Sequence, residues 1–334
     1  MKIVVRAPNW MGDCILALPA LQCLHKNRPQ AQIWVAALPA LKDLFTLFPF
    51  IQGVIPLSHP RSLRSYLRLS RNLQKHHFHS GLLFTNSFSS ALLLYLSKTP
   101  QRWGYIRDGR GLLLTKGIKP PSQKDLSHQV YYYLNLLSGL GFQTKPPPEL
   151  NLPLSSREKK EAFSLLNSQG VNFKKPLVVF HPGAHYGPSK RWPPSHFAEL
   201  ARRLQEKYQA NILLLGSPQE SPICDSISSS LNPSPLQLCG KTNLFQLAGI
   251  LDRADVVVAN DSGPMHMANA LKTPLISLFG PTNPRLTGPF QPPSTVFHKN
   301  VSCWPCFYRK CPFDHRCMKK ISPAEVFQAC EKYL

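Results

Sequence analysis

With 334 residues the chain has room for two domains and an ample core, and 43% hydrophobic against 17% charged residues excludes a disordered chain. Thirty-nine Lys and Arg against 17 Asp and Glu leave a formal charge of +22, which predicts a polyanionic partner: nucleic acid, an anionic membrane surface or phosphorylated substrates. The opening MKIVVRAPNW carries Arg6 where a signal peptide needs an apolar core, and no apolar run approaches the roughly 20 residues of a membrane span, so neither export by that route nor bilayer crossing is expected. A peripheral role stays open.

In chain order, residues 2–6 form a first buried strand, and the helix after it carries Ile15, Leu16, Leu18, Leu21 and Leu24. Between them lies Pro8-Asn9-Trp10-Met11-Gly12-Asp13. Residues 32–37 are the next strand, 41–48 a short helix, 53–57 a third strand and 81–84 a fourth, a βαβα rhythm that predicts a doubly wound sheet. No G-x-G-x-x-G follows the first strand, which argues against a dinucleotide site there. Arg61, Arg64, Arg68, Arg71 and Lys75 recur at spacings of three and four, a basic stripe on one helix face that is either solvated charge or a contact for anionic lipid. Arg102, Arg107, Arg110, Lys116, Lys119 and Lys124 extend the positive surface through a Gly-containing loop. A helix over 126–140 and the extended stretch TKPPPELNLP (144–153) follow, and the three prolines place a domain boundary there, with domains 1–150 and 151–334.

The second half restarts with a helix over 157–167, a strand over 177–180, a helix over 195–208, a strand over 212–215 and a helix over 244–251. Residues 256–259 are a β-branched buried strand that Asn260-Asp261-Ser262-Gly263 turns into a helix with Met265, Ala268 and Leu271 on one face, and 275–279 is another buried strand. Strand, crossover helix, strand requires a parallel sheet, and ligands of such sheets sit at the carboxyl ends of the strands. Asp261 and Ser262 are placed to cap the new helix, whose N–H groups near Gly263 suit a phosphate. An ordinary capped helix is the plain alternative. Two such α/β halves imply a cleft between them.

Four stretches follow strands: 9–13, 85–87, 181–192 and 260–266. In HPGAHYGPSKRWP, Gly183 and Gly187 let backbone approach a ligand and Lys190 and Arg191 bring positive charge, but the order is not that of a Walker A loop. The stretches RAPNWMGDCILALPAL, TNSFSSAL, HPGAHYGPSKRWP, ANDSGPMHMANAL and LFGPTNP resemble, in order, those of the ADP-heptose:lipopolysaccharide heptosyltransferases of glycosyltransferase family 9, most closely the type II enzymes. The resemblance implies a GT-B fold, two Rossmann-like domains facing across a cleft, the first binding acceptor and the second nucleotide sugar. It implies inverting transfer of L-glycero-D-manno-heptose from ADP-heptose to the Kdo-lipid A or heptosyl-Kdo-lipid A inner core of lipopolysaccharide. The enzyme would be cytoplasmic and peripheral at the anionic inner face of the inner membrane.

Residue by residue, the resemblance makes Asp13 the general base that takes the acceptor hydroxyl proton; read alone, Asp13 beside Gly12 is sooner a helix N-cap. Lys190 becomes a diphosphate ligand, Asp261 a ligand of the heptose hydroxyls, Ser262 and Gly263 donors of N–H groups to the diphosphate, His266 a support, and Glu220 a ribose-binding carboxylate, with plain surface exposure as its alternative. Asn86 and Ser87, with Arg61 and Arg64 of the basic stripe, fall on the acceptor side. No cofactor is required, because lysine and helix dipoles serve where a metal might.

Nine cysteines, an odd number spread mostly singly, fit a reducing compartment apart from Cys303-x₂-Cys306-x₄-Cys311-x₅-Cys317, with His315 between the last two. These four thiols either hold a structural zinc or pack a small loop. Two other readings compete. A transferase of the same fold using another heptose or hexose is not separable by sequence. A nucleic-acid-binding protein is suggested by charge alone, and the chain lacks a helix-turn-helix, a zinc-finger histidine pair and an RNP-type aromatic strand, so nucleic acid is not the expected partner.

Overall fold

The computed structural model describes residues 1–58, 62–122, 127–145 and 149–334. Arg61, Lys124, Leu126 and the run Pro146-Pro147-Pro148 lie outside the described residues. The chain divides into two compact units, Met1–Leu150 and Asn151–Leu334.

The first unit is built on six parallel strands: β1 (Lys2–Arg6), β2 (Gln32–Ala37), β3 (Ile51–Pro56), β4 (Ser80–Leu83), β5 (Gln101–Tyr105) and β6 (Lys116–Ile118), in the order 3-2-1-4-5-6. Central β1 pairs with β2 through Lys2↔Gln32 to Arg6↔Ala36 and with β4 through Ile3↔Ser80 to Arg6↔Leu83. Ile3, Val4 and Val5 are fully buried, because crossover helices cover both sheet faces and every strand position meets apolar neighbours. Each such side chain contributes about 1.5–3 kcal/mol by leaving water.

The second unit repeats the plan with β7 (Leu177–His181), β8 (Asn211–Leu214), β9 (Leu236–Gln237), β10 (Val256–Asn260), β11 (Leu275–Phe279) and β12 (Ser294–His298), all parallel, in the order 12-11-10-7-8-9. Read from its other edge this is again 3-2-1-4-5-6. Each sheet therefore reverses winding direction between its first and fourth strands: β1 and β4 in one unit, β7 and β10 in the other.

Several expectations are revised. Residues 102–118 are not one loop: Arg102 lies on β5 and Lys116 on β6, each in a parallel ladder. The 41–48 helix is a 3₁₀ turn (Pro39–Leu41) followed by the helix Lys42–Thr46. The helix Gly263–Ala270 is buried all round from Met265 to Ala270, not on one face, with Asn269 accepting from the Phe290 N–H (2.7 Å) and donating to the Gln291 carbonyl (2.6 Å). Cys224 and Cys239, 15 positions apart in sequence, lie side by side in the core of the second unit.

The basic stripe lies on the helix Leu63–Gln74, which opens with a reciprocal Ser62–Ser65 capping box. Arg64, Arg68 and Arg71 on it, and Lys75 at its end, are exposed, while Ser70 and Leu73 are buried against the sheet. Among the described residues no helix is long and apolar enough to cross a membrane.

Candidate active site

All four stretches singled out by sequence leave the winding-reversal strands β1, β4, β7 and β10, where helices diverge and the strand ends are left uncovered. After β1, Trp10 occupies the N-cap of the helix Met11–Leu16, so Asp13 stands in the first turn and is not the cap. Asp13 is half-buried beside Cys14 and Tyr133: its charge adds to the burial that pushes both the Cys14 thiol and the Tyr133 phenol up. The turn before it is braced by buried Arg6, which donates to Asn9 Oδ1 (2.6 Å), the Ala36 carbonyl (3.4 Å) and the Ala7 carbonyl, and by Cys14 Sγ, which donates to the Pro8 carbonyl (3.2 Å).

After β4, Asn86 exchanges hydrogen bonds with the Tyr132 hydroxyl, donating at 2.8 Å and accepting at 3.1 Å. Ser87 is the N-cap of the helix Phe88–Leu96, accepting from the Ser90 N–H at 3.3 Å, so its hydroxyl has a structural task. The floor of this loop is a residue that sequence reading placed on the surface. Arg110 is 0% exposed and donates to the carbonyls of Thr85 (2.5 Å) and Tyr105 (2.8 Å) and to Ser90 Oγ (3.3 Å), with Asn86 Oδ1 at 3.5 Å. Burial pushes its guanidinium down to about 10. Arg102 also spends its guanidinium inward, on the Leu113 (2.6 Å) and Thr99 (2.7 Å) carbonyls. An arginine in a glycine-containing loop carries no local mark of burial, hence the error. Arg64 is exposed on its helix, and Arg61 lies outside the described residues.

In the second unit the structure brings together residues far apart in sequence. Lys190 Nζ meets Asp261 Oδ2 at 2.5 Å, the Thr282 hydroxyl donates to the same oxygen at 2.6 Å, and Lys190 lies 4.7 Å over the Tyr186 ring. The lysine side chain is 12% exposed and the aspartate 5%, a pairing that needs its extra hydrogen bond to offset desolvation. Asn260, fully buried at the end of β10, receives the Trp192 N–H (3.0 Å) and donates to the Pro182 carbonyl (2.7 Å), locking the 182–192 loop to the strand. Neither Thr282 nor Asn260 had been given a role from sequence, although both lie within the stretches quoted.

Glu220 is buried, not a surface carboxylate, and its Oε2 accepts from the Ser217 N–H (2.8 Å) and hydroxyl (2.9 Å). Burial alone would raise its carboxyl, but His181, the Ser217 donors and Arg191 outweigh that and hold it below the usual value. Gly183 and Gly187 make room for protein and not directly for a ligand: a Cβ at 183 would fall on the Glu220 carboxylate, and one at 187 on the Arg309 carbonyl. The expected side-chain caps are absent. Ser262 holds the N-cap position of the helix Gly263–Ala270, but its hydroxyl pairs with His181 Nδ1 at 3.2 Å, and Asp261 is committed to Lys190 and Thr282. The first turn of that helix has no side-chain cap, and His266 is buried within it.

The cysteine-rich segment packs against the loops of the second unit. Cys303, Cys306, Cys311 and Cys317 line one small cavity with His315, so the structure brings the four thiols together, while among the described residues no group of three or more His, Cys, Asp or Glu stands as a metal site. The segment braces the loops that carry Lys190 and Thr282: His315 Nε2 contacts the Ser189 carbonyl (2.7 Å), Ser189 donates to the Tyr308 carbonyl (2.5 Å), Tyr186 to the Phe307 carbonyl (2.5 Å), and Trp304 Nε1 to the Thr282 carbonyl (3.2 Å). Lys190 and Thr282 are thus held from behind by the same strap.

Comparison with known proteins places this geometry. The lipopolysaccharide heptosyltransferase 2 of Escherichia coli (strain K12) is 32% identical over 300 residues, 86% of this chain and 85% of its own length. The lipooligosaccharide heptosyltransferase 2 of Campylobacter jejuni (serotype O:6) is 28% identical across 99% of both. The solved structure of E. coli ADP-heptose LPS heptosyltransferase II superposes with a TM-score of 0.87 at 28% identity, covering 100% of this chain and 98% of that one, and the two sheets here are those of a GT-B fold. The profile of glycosyltransferase family 9 (heptosyltransferase) matches residues 66–316, and the chain belongs to that family.

Proposed function

We propose that the chain transfers a heptose from ADP-heptose to the inner core of lipopolysaccharide, adding the second heptose to a heptosyl-Kdo-lipid A acceptor with inversion at the anomeric carbon. The observation that carries this reading is the buried Lys190–Asp261–Thr282 cluster, lying where the uncapped helix Gly263–Ala270 begins and built from the segments that resemble the family's donor-binding motifs. A helix end without a side-chain cap, next to a lysine, suits a diphosphate. Asp261 then takes sugar hydroxyls, and Lys190 passes from Asp261 to the phosphates and balances the charge that grows on departing ADP. Glu220, already ionised and fixed by Ser217, takes the ribose.

In the first unit, Asp13 accepts the proton of the acceptor hydroxyl as its oxygen attacks the anomeric carbon. The bond from that carbon to the β-phosphate oxygen breaks, and its electron pair leaves with ADP. Asn86 and the exposed basic residues beginning at Arg64 serve the acceptor side. The acceptor is a lipid-anchored polyanion, so we also place the protein in the cytoplasm, peripheral at the inner face of the inner membrane, held by the exposed cations of the helix Leu63–Gln74.

Release of ADP from ADP-heptose tests the reading. It should require acceptor, and Lys190→Ala should lower kcat/KM by about 10²-fold, the scale of one lost electrostatic contact to the transition state. ADP release at an unchanged rate in that variant would remove Lys190 from the chemistry.

A further inference from the structure

Ser262 has the backbone of a capping residue, extended at φ −154° and ψ 169°, and yet its side chain caps none of the first-turn N–H groups of the helix Gly263–Ala270. What holds the hydroxyl away is His181 at the end of β7, whose Nδ1 is 3.2 Å from Ser262 Oγ. The ring is 5% exposed, and on its far side Nε2 faces Glu220 Oε2 at 3.9 Å. A carboxylate on the Nε2 side favours the tautomer with its proton there, which leaves Nδ1 as acceptor and the serine hydroxyl as donor. Burial pushes the imidazole below the usual histidine range against the pull of Glu220, so the neutral ring is the resting form. Gly183 completes the arrangement, since any side chain there would push Glu220 off the histidine.

A serine oxygen and a phosphate oxygen compete for the same donors at a helix N-terminus. Pro264 has no N–H, so a released Ser262 hydroxyl would accept from Met265, the third residue of the helix. We propose that His181 is a positioning residue that holds the Ser262 hydroxyl off the helix and so keeps the first-turn N–H groups open for the donor's diphosphate. This rests on the donor reading above. It assigns a second task to Glu220, which orients His181 as well as meeting the nucleoside, and so couples the two ends of the nucleotide site through one imidazole.

The test is ADP binding by calorimetry at pH 8 to wild type, His181→Leu, Ser262→Ala and the double variant. The single His181→Leu variant should lose about tenfold or more in affinity as the freed serine caps the helix, while Ser262→Ala stays within about threefold of wild type. The double variant, with no hydroxyl left to cap, should return to within about threefold of Ser262→Ala. A double variant as weak as His181→Leu would overturn the proposal and make His181 a packing or contact residue. His181→Phe, a ring without an acceptor, serves the same comparison if the leucine variant does not fold. A second readout needs no ligand: the Met265 amide should exchange several-fold more slowly in His181→Leu and recover in the double variant. Unchanged exchange would likewise overturn the proposal, whereas a wild type that fails to bind ADP but shows the exchange pattern would sink the donor reading alone.

Discussion

Asp13 sits in the first turn of a short helix, half-buried beside Tyr133 and Cys14, in a loop pinned by Arg6. The N-cap of that helix is Trp10, and Asp13→Asn removes the proposed base while keeping the shape. The expected outcome is a fall in turnover of about a hundredfold or more with ADP affinity and thermal midpoint unchanged; turnover near wild type would exclude Asp13 as base. Arg110 is the opposite case, a buried cation that donates to protein carbonyls and a serine hydroxyl. Arg110→Ala leaves the Thr85 and Tyr105 carbonyls without their donor inside the unit and should cost about 3 kcal/mol or more, read as a shifted denaturation midpoint. A loss below about 0.5 kcal/mol would mean that water replaces the guanidinium. Lys190 and Asp261 could be singled out because their motifs carry them, but their pairing with each other could not, nor could the contacts of Thr282, Asn260 and His181. Their partners lie 21 to 81 positions away, and local pattern says nothing about such distances.

At the scale of elements, the strands read from sequence are β1 to β4, β7, β8, β10 and β11, and the most plainly marked of them, β1, β7, β10 and β11, are apolar runs buried on both faces. The strands missed are β6, β9 and β12 at sheet edges, where one side lacks a neighbour, and β5 next to the edge strand β6; polar residues such as Gln101, Lys116 and Ser294 stand in them. The reversal-point loops form one electrostatic unit in the second domain. His181 and Glu220 both titrate below their ordinary values of 6.5 and 4.5, so the unfolded chain binds more protons than the folded one in that range. Their stabilisation is complete above about pH 6.5 and is lost as pH falls through the lowered values. The thermal midpoint should therefore be flat above neutrality and fall below about pH 6.5, and His181→Leu should lose the upper part of that fall. A midpoint that rises on acidification to pH 5 would contradict the lowered histidine.

For the whole molecule, the two units have the same 3-2-1-4-5-6 topology, and the four stretches singled out from sequence leave equivalent strands in each. The charge of +22 is used in more than one way: part is buried, as at Arg6 and Arg110, and part lines an exposed helix face. Binding to phosphatidylglycerol vesicles should fall steeply between about 0.05 and 0.5 M salt. Replacing Arg64, Arg68 and Arg71 together by Gln should weaken it on the order of a hundredfold, at ~1 kcal/mol per residue. Vesicle binding indifferent to both would remove the membrane role of that helix. The central claim is tested most directly by offering ADP-heptose with lipopolysaccharide acceptors bearing zero or one heptose and weighing the products. Gain of one heptose only on the acceptor that already carries one is the predicted result, and no transfer to either acceptor, from protein that binds ADP, would contradict the assignment of sugar and acceptor.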